Sequence, residues 1–165
     1  MSGLLRNLLT FLMALLAPRA DSPLSTTVCS FRVMPWDVGV RVLKSDRYLL
    51  LAEAAQVDYM VKTGLWRRQL REGLGFVNAA QMVRFLRPIG LLQRVRVETA
   101  IVFADQRFAY FSHALFVGEA QHAEVLVKMK FKKGAITVPL TQLVAHTFVE
   151  KPHPLAHWDQ ALDTL

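Results

Sequence analysis

The sequence contains a single cysteine, Cys29, and no long apolar run. One thiol cannot form an internal disulfide, and no Cys or His residues have the spacing of a zinc site. No apolar stretch reaches the roughly 20 residues that a membrane-spanning helix needs. The chain also lacks internal repeats and low-complexity tracts. Its 165 residues are therefore expected to form one folded domain, compatible with a reducing compartment.

The charge balance is moderately basic, with 20 Lys and Arg against 13 Asp and Glu, a net charge of +7. This excess favours anionic partners such as phosphate-bearing ligands, nucleic acid or a lipid surface, without choosing among them. The sequence has no nucleic-acid recognition motif and no aromatic-basic platform, so we predict no nucleic-acid partner. A hydrophobic fraction of 53% is ample for a core and argues against disorder.

The strongest local pattern is the apolar segment at residues 45–64. We interpret it as a helix of about five turns. Ser45 or Asp46 is expected to cap its first turn, and Gly64 to end it in a left-handed conformation. Apolar residues cover almost its whole circumference, which is typical of a helix wrapped by other structure. The segment therefore predicts the core helix.

An antiparallel sheet is predicted downstream of this helix. In residues 120–133, apolar side chains alternate with mostly charged ones, and a period of two is that of a strand with one buried face. A curled antiparallel sheet packed against one long helix follows, which is an α+β fold. The other predicted strands are residues 28–34, 78–87, 91–103 and 107–117.

The N-terminal residues 4–17 are strongly apolar and end at a proline-containing break. Three interpretations are open: an amphipathic helix docked on the protein, a helix on a membrane surface, or the apolar part of a secretory signal. We expect a docked helix that buries its apolar face. The predicted organisation is an N-terminal helix in residues 1–20, a main domain in residues 26–148 and a C-terminal extension in residues 149–165.

Four short stretches occur in order along the chain: 35–37 (PWD), 47–49 (RYL), 83–88 (VRFLRP) and 107–113 (RFAYFSH). As an ordered set they resemble the hotdog-fold acyl-CoA thioesterase superfamily, in its 4-hydroxybenzoyl-CoA-thioesterase-like branch. The resemblance implies a hotdog fold, in which a curved antiparallel sheet wraps a long central helix, here with an extra N-terminal helix. It also implies hydrolysis of an acyl-CoA, with coenzyme A as part of the substrate and no separate cofactor or metal. Because the long meander leaves strand edges that one helix cannot cover, we expect a homodimer or a dimer of dimers. The expected location is cytoplasmic or peripheral at a membrane.

The sequence departs from the family pattern before the core helix. Asp37 matches the first acid of the usual Asp-x-Asp, but Gly39 stands where the second is expected. No histidine lies between Asp37 and Tyr48, and Lys-Ser-Asp at residues 44–46 replaces the usual asparagines. The resemblance therefore leaves two functions open: a thioesterase, or a hotdog protein that binds acyl chains or coenzyme A without turnover.

Thioester hydrolysis needs a carboxylate and donors for the developing oxyanion. Asp37 is the first candidate for the carboxylate, with a turn aspartate as the alternative. Asp46 is expected to cap the helix, and Glu53 is either a buried structural residue or the displaced acid. Tyr48 either orients the thioester carbonyl or packs in the core, and Asn78 either positions water or lies in a turn. The candidate catalytic residues are thus Asp37, Asp46, Tyr48, Glu53 and Asn78.

Basic side chains on two predicted strands are candidates for binding the phosphates of coenzyme A. The alternative is a solvated face of the sheet, which is the ordinary role of such a row. His113 lies among apolar residues of a strand and is expected to be a core histidine. The candidate phosphate-binding residues are Arg84, Arg87, Lys128, Lys130, Lys132 and Lys133.

Overall fold

The computed structural model describes residues 3–164 as five α-helices and six strands, with one 3₁₀ turn at Pro35–Asp37. The predicted α+β architecture is confirmed. The helices are α1 (Gly3–Leu16), α2 (Ser45–Lys62), α3 (Leu65–Glu72), α4 (Leu140–Val144) and α5 (His153–Asp163). The strands are β1 (Thr27–Arg32), β2 (Gly75–Phe85), β3 (Arg94–Ala104), β4 (Ala109–Val117), β5 (Ala120–Lys133) and β6 (Ile136–Val138).

The strands form one antiparallel sheet in the order β1-β3-β4-β5-β2, and β6 pairs with β5. β3, β4 and β5 follow one another as the predicted meander. The largest differences from the predicted boundaries are at β2, which begins three residues earlier, and at β3, which begins three residues later. β3 starts late because Leu92 has a positive φ of 64°, which turns the chain before the strand. β1 and β2 form the two ends of the strand order.

The core lies between the curled sheet and α2. Leu51, Ala55 and Tyr59 are almost fully buried on α2. The Tyr59 ring meets Phe111 of β4 edge-on at 5.7 Å between centroids. Gly64 has the predicted left-handed conformation, with a φ of 76°. These contacts confirm that α2 is the central helix of the fold.

The predicted cap of α2 is wrong. The residue at the N-cap position is Lys44, and no side chain caps the helix there. Asp46 lies within the first turn instead, where a negative charge still suits the positive end of the helix dipole. The backbone amide of Lys44 donates to the Asp37 carbonyl oxygen at 3.0 Å, so the 3₁₀ turn holds the start of α2.

The helix α1 docks on α2 with its polar side inward. Arg6 is buried, and Asn7 and Thr10 are partly buried. The prediction that this helix buries its apolar face is therefore wrong for contacts within the chain. The reason is that Arg6 and Asn7 each bond to a carboxylate of the protein, which fixes the rotation of the helix. The residues turned away form the outward face of α1: Leu4, Leu8, Leu9, Leu12, Met13, Leu15 and Leu16.

The helix α5 covers part of the charged face of the sheet. Its Asp159 pairs with Lys128 of β5 at 2.8 Å and with Lys151. It also accepts a hydrogen bond of 2.7 Å from the Tyr110 hydroxyl. The prediction of a solvated lysine row is wrong at Lys128, which is only 7% exposed because α5 lies over it.

Within residues 3–164, no helix has the length and apolarity required to cross a membrane.

Candidate functional site

A cavity of about 220 Å³ lies between α1, α2, α3 and β2. Among the described residues that line it, Glu53 is the sole charged side chain. Four primary amides share the lining with it, and the other side chains are apolar. A lone carboxylate among amides and apolar groups is an arrangement suited to acid-base chemistry. The lining residues are Phe11, Glu53, Gln56, Val57, Met60, Val61, Trp66, Gln69, Phe76, Asn78, Gln81 and Val127.

Helix α2 brings Glu53 and Gln56 to the cavity because residues three apart lie on the same side of a helix. The Gln56 amide is held by a contact of 3.5 Å from its Nε2 to the Met129 sulfur. Glu53 is exposed, contrary to the expectation of a buried glutamate. Its Oε1 accepts a hydrogen bond of 2.7 Å from the Asn7 Nδ2 of α1. The carboxylate is thus oriented by a neutral donor.

Strand β2 contributes Asn78 and Gln81 through an irregularity in its pairing. The register with β5 shifts between Asn78 and Ala80. In a regular strand, residues three apart point to opposite faces. The extra residue of a bulge restores them to one face, so both amides line the cavity. Glu53 and Asn78, two of the predicted site residues, are therefore brought together.

Helices α1 and α3 close one side of the cavity with aromatic rings. Phe11 and Trp66 meet edge-on, with ring centroids 5.2 Å apart. Neither ring, nor the amides of Gln56, Gln69 and Gln81, was among the predicted site residues. Gln56 could have been identified from the sequence, because it is a polar residue one turn from Glu53 inside an apolar helix.

Asp37 lies near the start of α2, as the resemblance implied, but in a closed environment. It is 1% exposed. Its Oδ1 accepts a hydrogen bond of 2.6 Å from the Arg6 guanidinium, and its Oδ2 accepts one of 3.1 Å from the Met34 backbone amide. Both oxygens are therefore occupied. Asp37 does not line the cavity that contains Glu53.

Asp46 and Tyr48 lie apart from the Glu53 cavity. The Asp46 side chain is 64% exposed and lies 3.4 Å from the Arg47 Nε. Tyr48 is buried, and its ring meets Phe85 edge-on at 4.9 Å. Burial raises the pKa of the Tyr48 hydroxyl, partly offset by a hydrogen bond with the Ile89 backbone. This is the environment of a core tyrosine.

A second cleft of about 300 Å³ lies at the start of α2. It contains Ser45, Tyr48 and Arg87 and has no carboxylate among its described lining residues. It therefore offers no acid for hydrolysis.

Most of the predicted phosphate-binding residues lie on the other face of the sheet from the cavity. On β5, Val127 lines the cavity while its neighbour Lys128 points to the opposite side. Lys130 lies over the Phe108 ring at 4.6 Å, and Arg84 pairs with Glu124 at 3.3 Å. Lys132 follows on the same face as Lys128 and Lys130, Lys133 is exposed at the end of β5, and Arg87 lines the second cleft.

The Asp159 carboxylate stabilises the covered part of the sheet. Burial alone would raise its pKa, but hydrogen bonds from Lys128, Lys151 and Tyr110 outweigh burial and lower the pKa. Lys128 is therefore engaged as a structural ion-pair partner.

A histidine and the single cysteine lie outside the Glu53 cavity. His113 is fully buried, and burial lowers its pKa to about 3, so the ring is neutral. Its Nδ1 lies 3.0 Å from the Thr99 hydroxyl, as expected of a core histidine. Burial, and then the charge of Asp58, raises the pKa of the partly buried Cys29 thiol, which disfavours the thiolate form. Within residues 3–164, no cluster of His, Cys, Asp or Glu is arranged to hold a metal ion.

Comparison with known proteins gives a family and a fold. A sequence model described as the thioesterase-like superfamily matches residues 33–145, more than half of the chain. A probable thioesterase from Bartonella henselae has 19% sequence identity and a TM-score of 0.62, over 70% of this chain and 98% of that one. A 1,4-dihydroxy-2-naphthoyl-CoA thioesterase from Synechocystis has 16% identity and a TM-score of 0.61, over 72% and 91%.

A 4-hydroxybenzoyl CoA thioesterase variant, solved with 4-hydroxybenzoyl CoA, is similar to the same degree. It has 15% identity and a TM-score of 0.64, over 70% of this chain and 92% of that one. At these identities the structural likeness shows the fold alone. It confirms the predicted hotdog architecture, with α1 as an addition at its N-terminus.

Proposed function

Because the chain belongs to the thioesterase-like superfamily, we propose that it hydrolyses an acyl-CoA thioester with Glu53 as the catalytic carboxylate. The observation that carries the proposal is the position of Glu53, the sole charged side chain among the described residues that line the cavity. Asp37 has both oxygens occupied and lies outside that cavity. We therefore assign to Glu53, within the core helix, the catalytic role that the family pattern gives to an acid before that helix.

The cavity supplies the groups that the reaction requires. A water molecule attacks the thioester carbonyl carbon while the Glu53 carboxylate takes its proton. The side-chain amides of Asn78 and Gln81 donate hydrogen bonds to the resulting oxyanion. The carbon–sulfur bond then breaks, and the thiolate receives the proton from Glu53. The Asn7 amide acts as a positioning group, since it holds one oxygen of that carboxylate.

We propose that the active form is a homodimer joined at β2. Within residues 3–164, this strand pairs along one edge alone, and Phe76, Val77 and Phe85 are about half exposed on it. A long apolar edge strand invites pairing with another strand. The cavity borders β2 and is smaller than the roughly 300–1,000 Å³ of typical ligand sites, so a second copy at this edge would enlarge and close it. Sedimentation velocity should give twice the chain mass, and a strict monomer with full activity would contradict this arrangement.

Coenzyme A would extend out of the cavity toward basic side chains. Lys133 at the exposed end of β5 and Arg87 beside the second cleft are the proposed phosphate partners. Lys128, Lys130, Lys132 and Arg84 are left out because they lie on the face of the sheet opposite the cavity, and Asp159 also neutralises Lys128. Contacts with exposed cations are screened by salt. Calorimetry with coenzyme A should therefore show weaker binding at higher ionic strength. Equal affinity for coenzyme A at low and at high salt would contradict a role for Lys133 and Arg87 in phosphate binding.

The direct test is release of free thiol from a panel of acyl-CoAs. The panel should contain aromatic acyl groups, because the cavity carries Phe11, Trp66 and Phe76 and two structural neighbours are named for aromatic substrates. Aliphatic acyl groups of several lengths complete it. Turnover of at least one substrate supports the proposal. Tight binding of acyl-CoA with no thiol release would instead establish the non-catalytic binding protein.

A further inference from the structure

The outward face of α1 is apolar in a position where soluble proteins place polar residues. Leu8 and Leu12 are about half exposed, and Leu4 and Leu16 are more than 80% exposed. A surface helix ordinarily turns its apolar stripe toward the core. Here the polar residues of the helix face the protein together with Phe11 and Ala14, and the leucines face out. Contiguous apolar surface of this kind marks a site of interaction.

The orientation of α1 is fixed and cannot be reversed by a simple rotation of the helix. Arg6 and Asp37 form an ion pair of 2.6 Å in which both side chains are buried. A rotation that buried the leucines would leave Asp37 as an unpaired buried charge, which is strongly unfavourable. The apolar face therefore stays outward and needs a partner outside the chain.

A basic groove runs beside this face. It has a volume of about 630 Å³, lies between α1 and β1, and is lined by Leu9, Met13, Arg32 and Arg94 among others. Arg32 and Arg94 stand directly opposite each other on β1 and β3. Like charges in such cross-strand positions repel. Arg32 donates a hydrogen bond of 3.4 Å to the Leu92 carbonyl oxygen. Among the described residues neither arginine forms a salt bridge, so both positive charges are available to an anion.

We propose that the outward face of α1 and the Arg32–Arg94 pair together dock the protein on a bilayer that contains anionic lipids. The leucines enter the boundary between headgroups and acyl chains, as interfacial helices do, and the two guanidinium groups bind lipid phosphates. The helix lies on the surface, since 14 residues are too few to span a bilayer. The proposal is independent of the thioesterase function.

Charge favours a lipid surface over a second copy of the chain at this face. Pairing α1 with α1 of another copy would bring two Arg32–Arg94 pairs close together in proteins that each carry a net charge of +7. The proposed dimer strand, β2, ends the strand order opposite to β1. Pairing at β2 therefore leaves the groove open.

The test is co-sedimentation of the full chain with vesicles of phosphatidylcholine, with and without phosphatidylserine. Binding should increase with phosphatidylserine and decrease with salt. Leu12→Gln/Leu16→Gln should weaken it by roughly tenfold or more, because two insertions are lost. The matched control, Ile136→Gln/Val149→Gln, removes two exposed apolar residues elsewhere and should bind as the wild type does. Arg32→Gln/Arg94→Gln should lose the dependence on phosphatidylserine.

Three results would overturn the proposal. The first is no binding of the wild type to vesicles containing phosphatidylserine. The second is equal loss in the Leu12/Leu16 and Ile136/Val149 variants, which would mean nonspecific adsorption. The third is a lower particle mass of the Leu12→Gln/Leu16→Gln variant in sedimentation without lipid, combined with no vesicle effect, which would assign the face to contact between copies. Melting curves of all variants should be recorded to check that each remains folded.

Discussion

Asp37 and Glu53 each accept a hydrogen bond from helix α1, from the consecutive residues Arg6 and Asn7. The surroundings of the two carboxylates differ. Asp37 is buried and pairs with the Arg6 guanidinium, while Glu53 is exposed at a cavity and bonds to the neutral Asn7 amide. A full positive charge at hydrogen-bond distance neutralises a carboxylate and occupies it. A neutral amide orients a carboxylate and leaves its charge for chemistry. Asp37 therefore anchors α1, and Glu53 is the candidate base.

The two positions also differ in the oxyanion donors within reach. Asp37 adjoins the start of α2, where backbone amides are free. Glu53 lies eight residues after Ser45, the first residue of α2, which is about 12 Å along the helix axis. Near Glu53, the oxyanion donors are the side-chain amides on β2 instead of the backbone amides of the helix terminus. Each carboxylate thus implies its own set of donors, and variants can separate the two arrangements.

The largest expected effect is on stability, from Asp37→Ala. This change leaves the Arg6 charge buried without a partner and should cost about 3–5 kcal/mol of unfolding free energy. Chemical denaturation measures it. The companion variant Arg6→Met/Asp37→Ala removes both charges and should recover much of the loss. Unchanged stability of Asp37→Ala would mean that the carboxylate does not anchor α1.

The next effect is on the rate, from Asn78→Ala. Loss of one oxyanion donor should lower kcat by roughly 100-fold, with little change in the melting temperature because Asn78 is exposed. The matched control is Gln121→Ala, which changes an amide on β5 that does not line the cavity. If helix amides near Asp37 served the reaction instead, Asn78→Ala would keep the wild-type rate.

The smallest effect is expected from Asp46→Asn. Asp46 is exposed and caps no helix terminus, so its loss should change stability by about 0.5 kcal/mol or less. Turnover should stay within about twofold of wild type, since the residue touches no cavity group. A thiol-release assay checks it. A large fall in kcat would show that the chemistry occurs at the start of α2.

Elements with a regular pattern could be predicted from the sequence, and contacts across the chain could not. The alternation in β5 and the apolar segment of α2 place both elements correctly, because periodicity reports which side is buried. The orientation of α1 could not be predicted, because the partners of Arg6 and Asn7 lie 31 and 46 residues away. The same holds for Lys128, whose partner is on α5.

The candidate site was predictable in part. Glu53 and Asn78 were named from the sequence, and the cavity brings them together. The role of Gln81 could not be predicted, because a bulge in β2 changes the side to which it points. Asp37 was correctly placed beside the start of α2, but its ion pair depends on the docking of a helix whose orientation was predicted incorrectly.

The most direct test compares Glu53→Gln with Asp37→Asn in one thiol-release assay with the best acyl-CoA of the panel. Both changes keep side-chain size and remove the base. The account predicts that Glu53→Gln lowers kcat by roughly 100-fold or more, while acyl-CoA binding and the melting temperature are kept. Asp37→Asn should turn over at the wild-type rate per folded molecule, with lower stability. A fully active Glu53→Gln beside an inactive, folded Asp37→Asn would contradict the account.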